Sequence, residues 1–277
     1  SNDLTIYTDW FPSSALEAIF DLEGDRMANL SFDPKVVESE RGVVYSERRS
    51  SVDNDSMGTL MEQMQATAYV AHPYQIPTIG WPSDIERWKT EDLKQFFKTY
   101  YAPNNAVLVV AGDVEPAQVF ALANRYLAAL PRQPEPTPVT TVEPEQLGER
   151  RITVERGDAQ SPILAYAFHS GIGAGSKDYP ALELLTTILA QGQSSRLHQR
   201  LVEREQVAVD AGAFAEAGFD PGLLWVYAML PPGGDLAKAE ALLDEELAKI
   251  ARDGVTAAEL DKRSEEHTSE LQSHLNL

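Results

Sequence analysis

Two glutamates are the residues best placed to do chemistry. They lie in Asp33-Pro34-Lys35-Val36-Val37-Glu38-Ser39-Glu40-Arg41-Gly42-Val43-Val44-Tyr45-Ser46-Glu47-Arg48-Arg49. At about 100° per residue this segment reads as a helix on which Val36, Val37, Val43 and Val44 form one apolar stripe. Glu40 and Glu47 fall inside that stripe, seven positions apart, so both carboxylates point the same way, about 10 Å apart along the axis. Glu38, Arg41, Arg48 and Arg49 fall outside it and read as solvated. A carboxylate on a buried face is costly unless it is paired, protonated or bound to a metal. Two readings follow. One is a buried ion pair, or a stem that snorkels to water at the stripe's edge. The other is one metal ligand beside a second carboxylate that orients another ligand.

The elements around this helix can be read from caps, breakers and periodicity. Asp33 is a good N-cap, Pro34 suits the first helical position, and Phe32 is placed to staple onto Val37. Apolar spacing predicts a helix from Ser13 to Asn29 and another from Met57 to Tyr69. Thr90 is expected to cap a helix through Tyr101, and a further helix runs from Pro116 to Leu130. Leu4 to Thr8 reads as a strand already under way, in a chain that opens without Met, and Ala106 to Ala111 as a second strand. Pro131, Pro134, Pro136, Pro138 and Pro144 mark a linker. Beyond it, strands are expected at Arg151 to Glu155, Ile163 to Phe168 and Leu223 to Leu230. Helices are expected at Tyr179 to Leu189, Ser195 to Glu205 and Leu236 to Ala251. Strands and helices mix without strict alternation, which favours an α+β class with two related domains, each a mixed or antiparallel sheet packed with helices.

Composition excludes several functions. The 277 residues carry 23 Lys and Arg against 43 Asp and Glu, a formal net charge of -20. Such a surface repels phosphate backbones and anionic headgroups, so neither nucleic acid nor a membrane surface is the expected partner. No apolar run reaches the about 18 residues a bilayer span needs. Cysteine is absent, which removes thiol nucleophiles and cysteine zinc ribbons. Residues 263–277 read as a non-native tail derived from a sequencing adapter, so His267 and His274 are expected to carry no chemistry. Leaving out that tail's one Arg and three Glu changes the net charge to -18.

The two glutamates have company. Leu22-Glu23-Gly24-Asp25-Arg26-Met27-Ala28-Asn29-Leu30 and Phe32-Asp33-Pro34 precede them. His72-Pro73-Tyr74, Ile79-Gly80, Tyr101-Ala102-Pro103-Asn104-Asn105, Val109-Val110-Ala111-Gly112-Asp113 and Gln193-Ser194-Ser195-Arg196-Leu197 follow. In this order and spacing the chain resembles the insulinase/pitrilysin family of inverzincin zinc metallopeptidases over residues 1–262. The resemblance implies two α+β domains of the mitochondrial-processing-peptidase type, acting on peptides enclosed in a clamshell chamber. It implies a division into residues 1–130, the remainder of an N-terminal zinc-peptidase domain, a linker at 131–149, and a C-terminal peptidase-like domain at 150–262.

In that family a helix bearing His-x-x-Glu-His supplies two zinc-binding imidazoles and a general-base Glu, and a Glu far downstream completes the site. Such a three-ligand zinc keeps an open position for a water of lowered pKa. By motif position Glu47 is implied as the zinc ligand and Glu40 as the auxiliary acid beside it. Counting back from Glu47 by the family's spacing lands before Ser1, so the His-x-x-Glu-His helix is expected to lie outside this chain. His72 stands before Pro73, His169 ends a strand, His198 lies on the Ser195 helix, and none has a second His four positions on. Zn2+ is therefore expected only in a complete protein, and this chain alone is expected to be inactive.

A second departure concerns the partner. Two-unit relatives carry an Arg and a Tyr seven residues apart after the Ser-Ser-Arg-Leu helix, where they contact substrate. Here Val202 and Val209 stand at those positions and offer no donor to a developing oxyanion. A heterodimer whose second subunit supplies Arg and Tyr is the expected arrangement; a homodimer, or Arg204 acting instead, is the rival. The alternative function is a non-catalytic structural subunit of a processing-peptidase-like complex, and a third class is a carboxylate-rich binding module. Similarity to bacterial members favours the periplasm or cell envelope. Three lesser signals read as structural: Arg156-Gly157-Asp158 as a turn, Gly171 to Lys177 as a flexible entry to a helix, and Trp81, Trp88, Phe96, Phe97 and Tyr100 as core or domain-interface aromatics.

Overall fold

The structure, a computed structural model, describes residues 2–262; the expected non-native tail, with His267 and His274, lies outside them. The fold is α+β, and the chain forms two compact units interleaved in sequence. One takes residues 2–3, Val52–Pro77 and residues 143–262; the other takes Leu4–Ser51 and Thr78–Val142. The Pro-rich stretch straddles a crossing, with Val142 in one unit and Glu143 in the other.

The helical unit contains α1 (Leu16–Asn29), α2 (Pro34–Arg48), α4 (Pro82–Arg87), α5 (Thr90–Tyr100) and α6 (Pro116–Tyr126), while α3 (Ser56–Ala68) belongs to the sheet unit. Its small core joins Leu16 and Phe20 of α1 to Leu122 of α6. Gly24 permits the approach of these helices, since a Cβ there would stand 3.1 Å from the Tyr126 carbonyl oxygen. The expected cap of α2 is present: the Asp33 side chain accepts from the Lys35 N–H at 2.7 Å. Phe32, however, meets Phe97 edge-on, with centroids 5.8 Å apart. Thr90 is the first residue of α5 rather than its cap; Asp92 reaches back and accepts from the Lys89 N–H at 2.8 Å.

Both strands expected in this unit are missing as ladders. Residues 4–8 and 106–111 form no pairing among the described residues. An isolated strand cannot satisfy its own backbone groups, and here Val107 and Val109 are 91% and 80% exposed. Residues 151–155 likewise form no ladder among the described residues, although their exposure alternates as a strand's would.

The sheet unit is built on three antiparallel strands, β1 (Ile163–His169), β2 (Asp210–Ala215) and β3 (Leu223–Met229), in the order β1-β3-β2. Ile163 and Asp210 both face Met229 across their ladders. Alternation along the central strand separates two cores. Val226 and Ala228 face Leu189 of α7 (Tyr179–Ala190) and Ala239, Leu242 and Leu243 of α8 (Leu236–Asp253). Leu223 and Trp225 face Ala68, Tyr69 and Tyr74 around α3. The stretch from Ser195 expected as an α-helix is wound as a π-helix over His198–Arg204, with Leu197 and Leu201 fully buried.

Carboxylates fasten this unit's loops. Glu143 accepts from three consecutive backbone N–H groups, those of Val70, Ala71 and His72, at 2.8, 2.9 and 2.9 Å. Arg156 bonds Asp158 at 2.7 Å and also the Asp53 carbonyl, so the Arg-Gly-Asp stretch is a pinned turn. Gly173 lies against a neighbouring loop, and its Cβ would stand 2.7 Å from the Phe219 carbonyl oxygen. Both sides of that contact are backbone, so Gly173→Ala is expected to cost about 1–3 kcal/mol, read as a lower urea midpoint.

Arg196 grips Glu259 through Nε at 2.7 Å and Nη2 at 2.8 Å. The guanidinium, outweighing burial and helped by Thr256, holds the Glu259 carboxyl down to about 2. A carboxyl depressed in the folded state contributes stability that is complete above its ordinary value and lost as pH falls toward the depressed one. The urea midpoint is therefore expected to drop between about pH 5 and about pH 2, and Glu259→Gln should flatten that part of the profile.

Candidate functional site

Glu40 and Glu47 both stand on α2, and both are exposed. The stripe that was expected to be buried is half covered: Val37 and Val44 are partly buried, while Val36 and Val43 are 55% and 54% exposed. The covered flank carries Val37 and Val44 together with Arg41 and Arg48. Arg48, expected to be solvated, is its one buried residue at 3% exposure, and donates through Nη1 to the Gly80 carbonyl at 2.9 Å. Arg41 is partly buried and donates to the carbonyls of Ile85 at 2.5 Å and Trp88 at 2.9 Å. The cost argument for a buried carboxylate therefore falls away. The two glutamates are open to solvent on a helix anchored beside them. Periodicity missed this because a guanidinium with a long stem packs as well as an aliphatic side chain when carbonyls satisfy its donors.

Among the described residues no group of three or more His, Asp or Glu is placed to hold a metal ion. The donor set present does not by itself fit zinc, which takes three protein ligands in catalytic sites. Each of the three described histidines, His72, His169 and His198, is already engaged. Buried His72 caps a turn, its Nδ1 accepting from the Tyr74 N–H at 3.2 Å, while its Nε2 lies 3.2 Å from Asp220. His169 Nε2 lies 3.1 Å from the Ala68 carbonyl oxygen, and His198 pairs with Glu203 at 3.2 Å. The positions of the expected Arg and Tyr hold apolar groups in contrasting settings: Val202 packs against the sheet unit's core, and Val209 is exposed. Of the aromatics read as core or interface residues, Phe96 and Tyr100 are exposed. Among the described residues, no helix is long and apolar enough to cross a membrane.

Comparison with known proteins now bears on this geometry. Residues 87–265 match the family described as Peptidase M16 inactive domain. The zinc protease PqqE of Helicobacter pylori is 33% identical over 268 residues, covering 95% of this chain and 59% of PqqE. A probable mitochondrial-processing peptidase subunit beta of Schizosaccharomyces pombe is 26% identical over 238 residues, covering 82% of this chain and 51% of that one. The crystal structure of a protease from Helicobacter pylori superposes with a TM-score of 0.89 at 30% identity, covering 96% of this chain and 65% of that one. The chain thus spans less than two thirds of the length of the curated relatives it matches. Glu40 and Glu47 precede the matched family region.

Proposed function

The chain belongs to the peptidase M16 family, and on that premise we propose that it is part of a zinc-dependent endopeptidase that cleaves peptides in a clamshell chamber. What carries the reading is the pair Glu40 and Glu47, open to solvent on one anchored helix, in a chain similar along 95% of its length to a zinc protease. Glu47 contributes one zinc donor, and Glu40 is the auxiliary acid beside it. The remaining ligands and the general base come from a His-x-x-Glu-His segment outside this chain, so residues 1–262 alone hydrolyse nothing. Residues 1–130 are then the remainder of the zinc-bearing domain, joined through 131–149 to the peptidase-like part at 150–262.

Val202 and Val209 supply no donor for an oxyanion, so the reading includes a second family subunit that brings Arg and Tyr, with a homodimer as the rival. The reading places the protein in the periplasm or cell envelope. The alternative is a non-catalytic structural subunit; the match to the family's inactive domain does not separate the two, since a zinc protease aligns over 95% of this chain.

Expression of the full-length protein, alone and with co-purified partners, tests the reading. Peptide cleavage that stops on chelation and returns with zinc supports it. Cleavage undiminished after zinc removal, or no cleavage in any combination, overturns it. Cleavage without any partner removes the heterodimer.

A further inference from the structure

Directional bonds tie α2 to residues 80–88. The Arg41 guanidinium reaches two carbonyls of that segment, those of Ile85 and Trp88, and lies 5.4 Å from the centre of the Trp88 ring. Two turns later Arg48 reaches the carbonyl of Gly80, a residue with φ of +81° that glycine adopts without a side-chain clash. Between them the Tyr45 hydroxyl lies 3.4 Å from Glu86. Each arginine directly follows one of the two glutamates, so Glu40-Arg41 and Glu47-Arg48 form a repeat of seven. Neighbours on a helix differ by about 100° in direction. Fixing the arginine flank therefore fixes the glutamate flank beside it. The exposed Val36 and Val43 contribute little to that restraint. A planar guanidinium with several donors also restrains rotation more than a single ammonium can.

We propose that Arg41 and Arg48 are positioning residues: they lock α2 in rotation and register against residues 80–88 and so set where the carboxylates of Glu40 and Glu47 stand. The inference rests on the reading of Glu47 as a site residue.

The test uses the full-length protein with Arg41→Met, Arg48→Met and Arg48→Lys. Met fills a similar volume without a buried charge, a replacement that folding often tolerates. Lys keeps the charge and lacks the fork. Peptide hydrolysis and hydrogen exchange of the α2 amides are measured together, with the thermal midpoint as a control. In Arg41→Met and Arg48→Met, kcat is expected to fall at least about tenfold with KM within about twofold, the pattern of a misplaced reacting group rather than lost substrate binding. Exchange across α2 should speed up, and Arg48→Lys should recover part of both losses. Unchanged kcat alongside normal exchange in the two Met variants overturns the proposal, as does faster exchange with full kcat. If a Met variant does not fold, Arg48→Lys decides: wild-type kcat and exchange there overturn the proposal. Glu47→Gln is run in parallel. Full hydrolysis in that variant defeats the reading of Glu47 alone, and the exchange result still decides whether the arginines hold the helix.

Discussion

Glu47→Gln in the full-length protein is expected to lower peptide hydrolysis by at least about 100-fold, more than the roughly 10–100-fold typical of losing a group that only orients a ligand. Glu40→Gln, as the auxiliary position, is expected to fall within that lower range. An amide keeps the shape of the carboxylate and removes its charge, which is what a cationic metal requires of an oxygen donor. Exposure makes the experiment clean. Both glutamates face solvent on α2, and surface substitutions generally change stability by less than about 0.5 kcal/mol. A loss of hydrolysis with an unchanged thermal midpoint is therefore assignable to the site and not to the fold.

The largest expected effect on stability lies in the other unit. Leu243 on α8 is fully buried among Leu189, Leu201, Val226, Ala228 and Leu230. Leu243→Ala removes three carbons from that core and leaves a cavity, a change that costs about 2–5 kcal/mol. Against a typical domain stability of about 5–15 kcal/mol, that is a large fraction, and urea unfolding followed by far-UV circular dichroism should show it. Val43→Ala on α2 is the control, expected to shift stability little because Val43 is largely exposed. A cost for Val43→Ala equal to that for Leu243→Ala would mean that Val43 is covered.

What the sequence could show depended on whether local signals and tertiary packing agreed. Helices with strong punctuation were legible: Asp33-Pro34 opened α2 where a cap and a first-turn proline should, and β1 and β3 lay within their apolar runs. β2 escaped notice because Asp-Ala-Gly-Ala-Phe-Ala has poor strand propensity and is held as a strand by pairing with β3. The reverse failure occurred at Ala106 to Ala111, where strong propensity forms no ladder because no described residue pairs with it. Residue types and spacing located the two glutamates on one helix, but hydrophobic periodicity centred the covered face too far toward the glutamates. Val36 and Val43 are open, Val37 and Val44 are partly buried, and Arg41 and Arg48 donate to backbone carbonyls. A polarity scale has no way to register that backbone carbonyls at Gly80, Ile85 and Trp88 await a guanidinium.

Bound zinc per protein molecule after dialysis tests whether Glu47 is a zinc donor whose companions lie outside residues 1–262. Stoichiometric zinc is expected in the full-length protein, and its loss in full-length Glu47→Gln. Zinc retained by that variant at the wild-type stoichiometry would contradict it and remove Glu47 from the site.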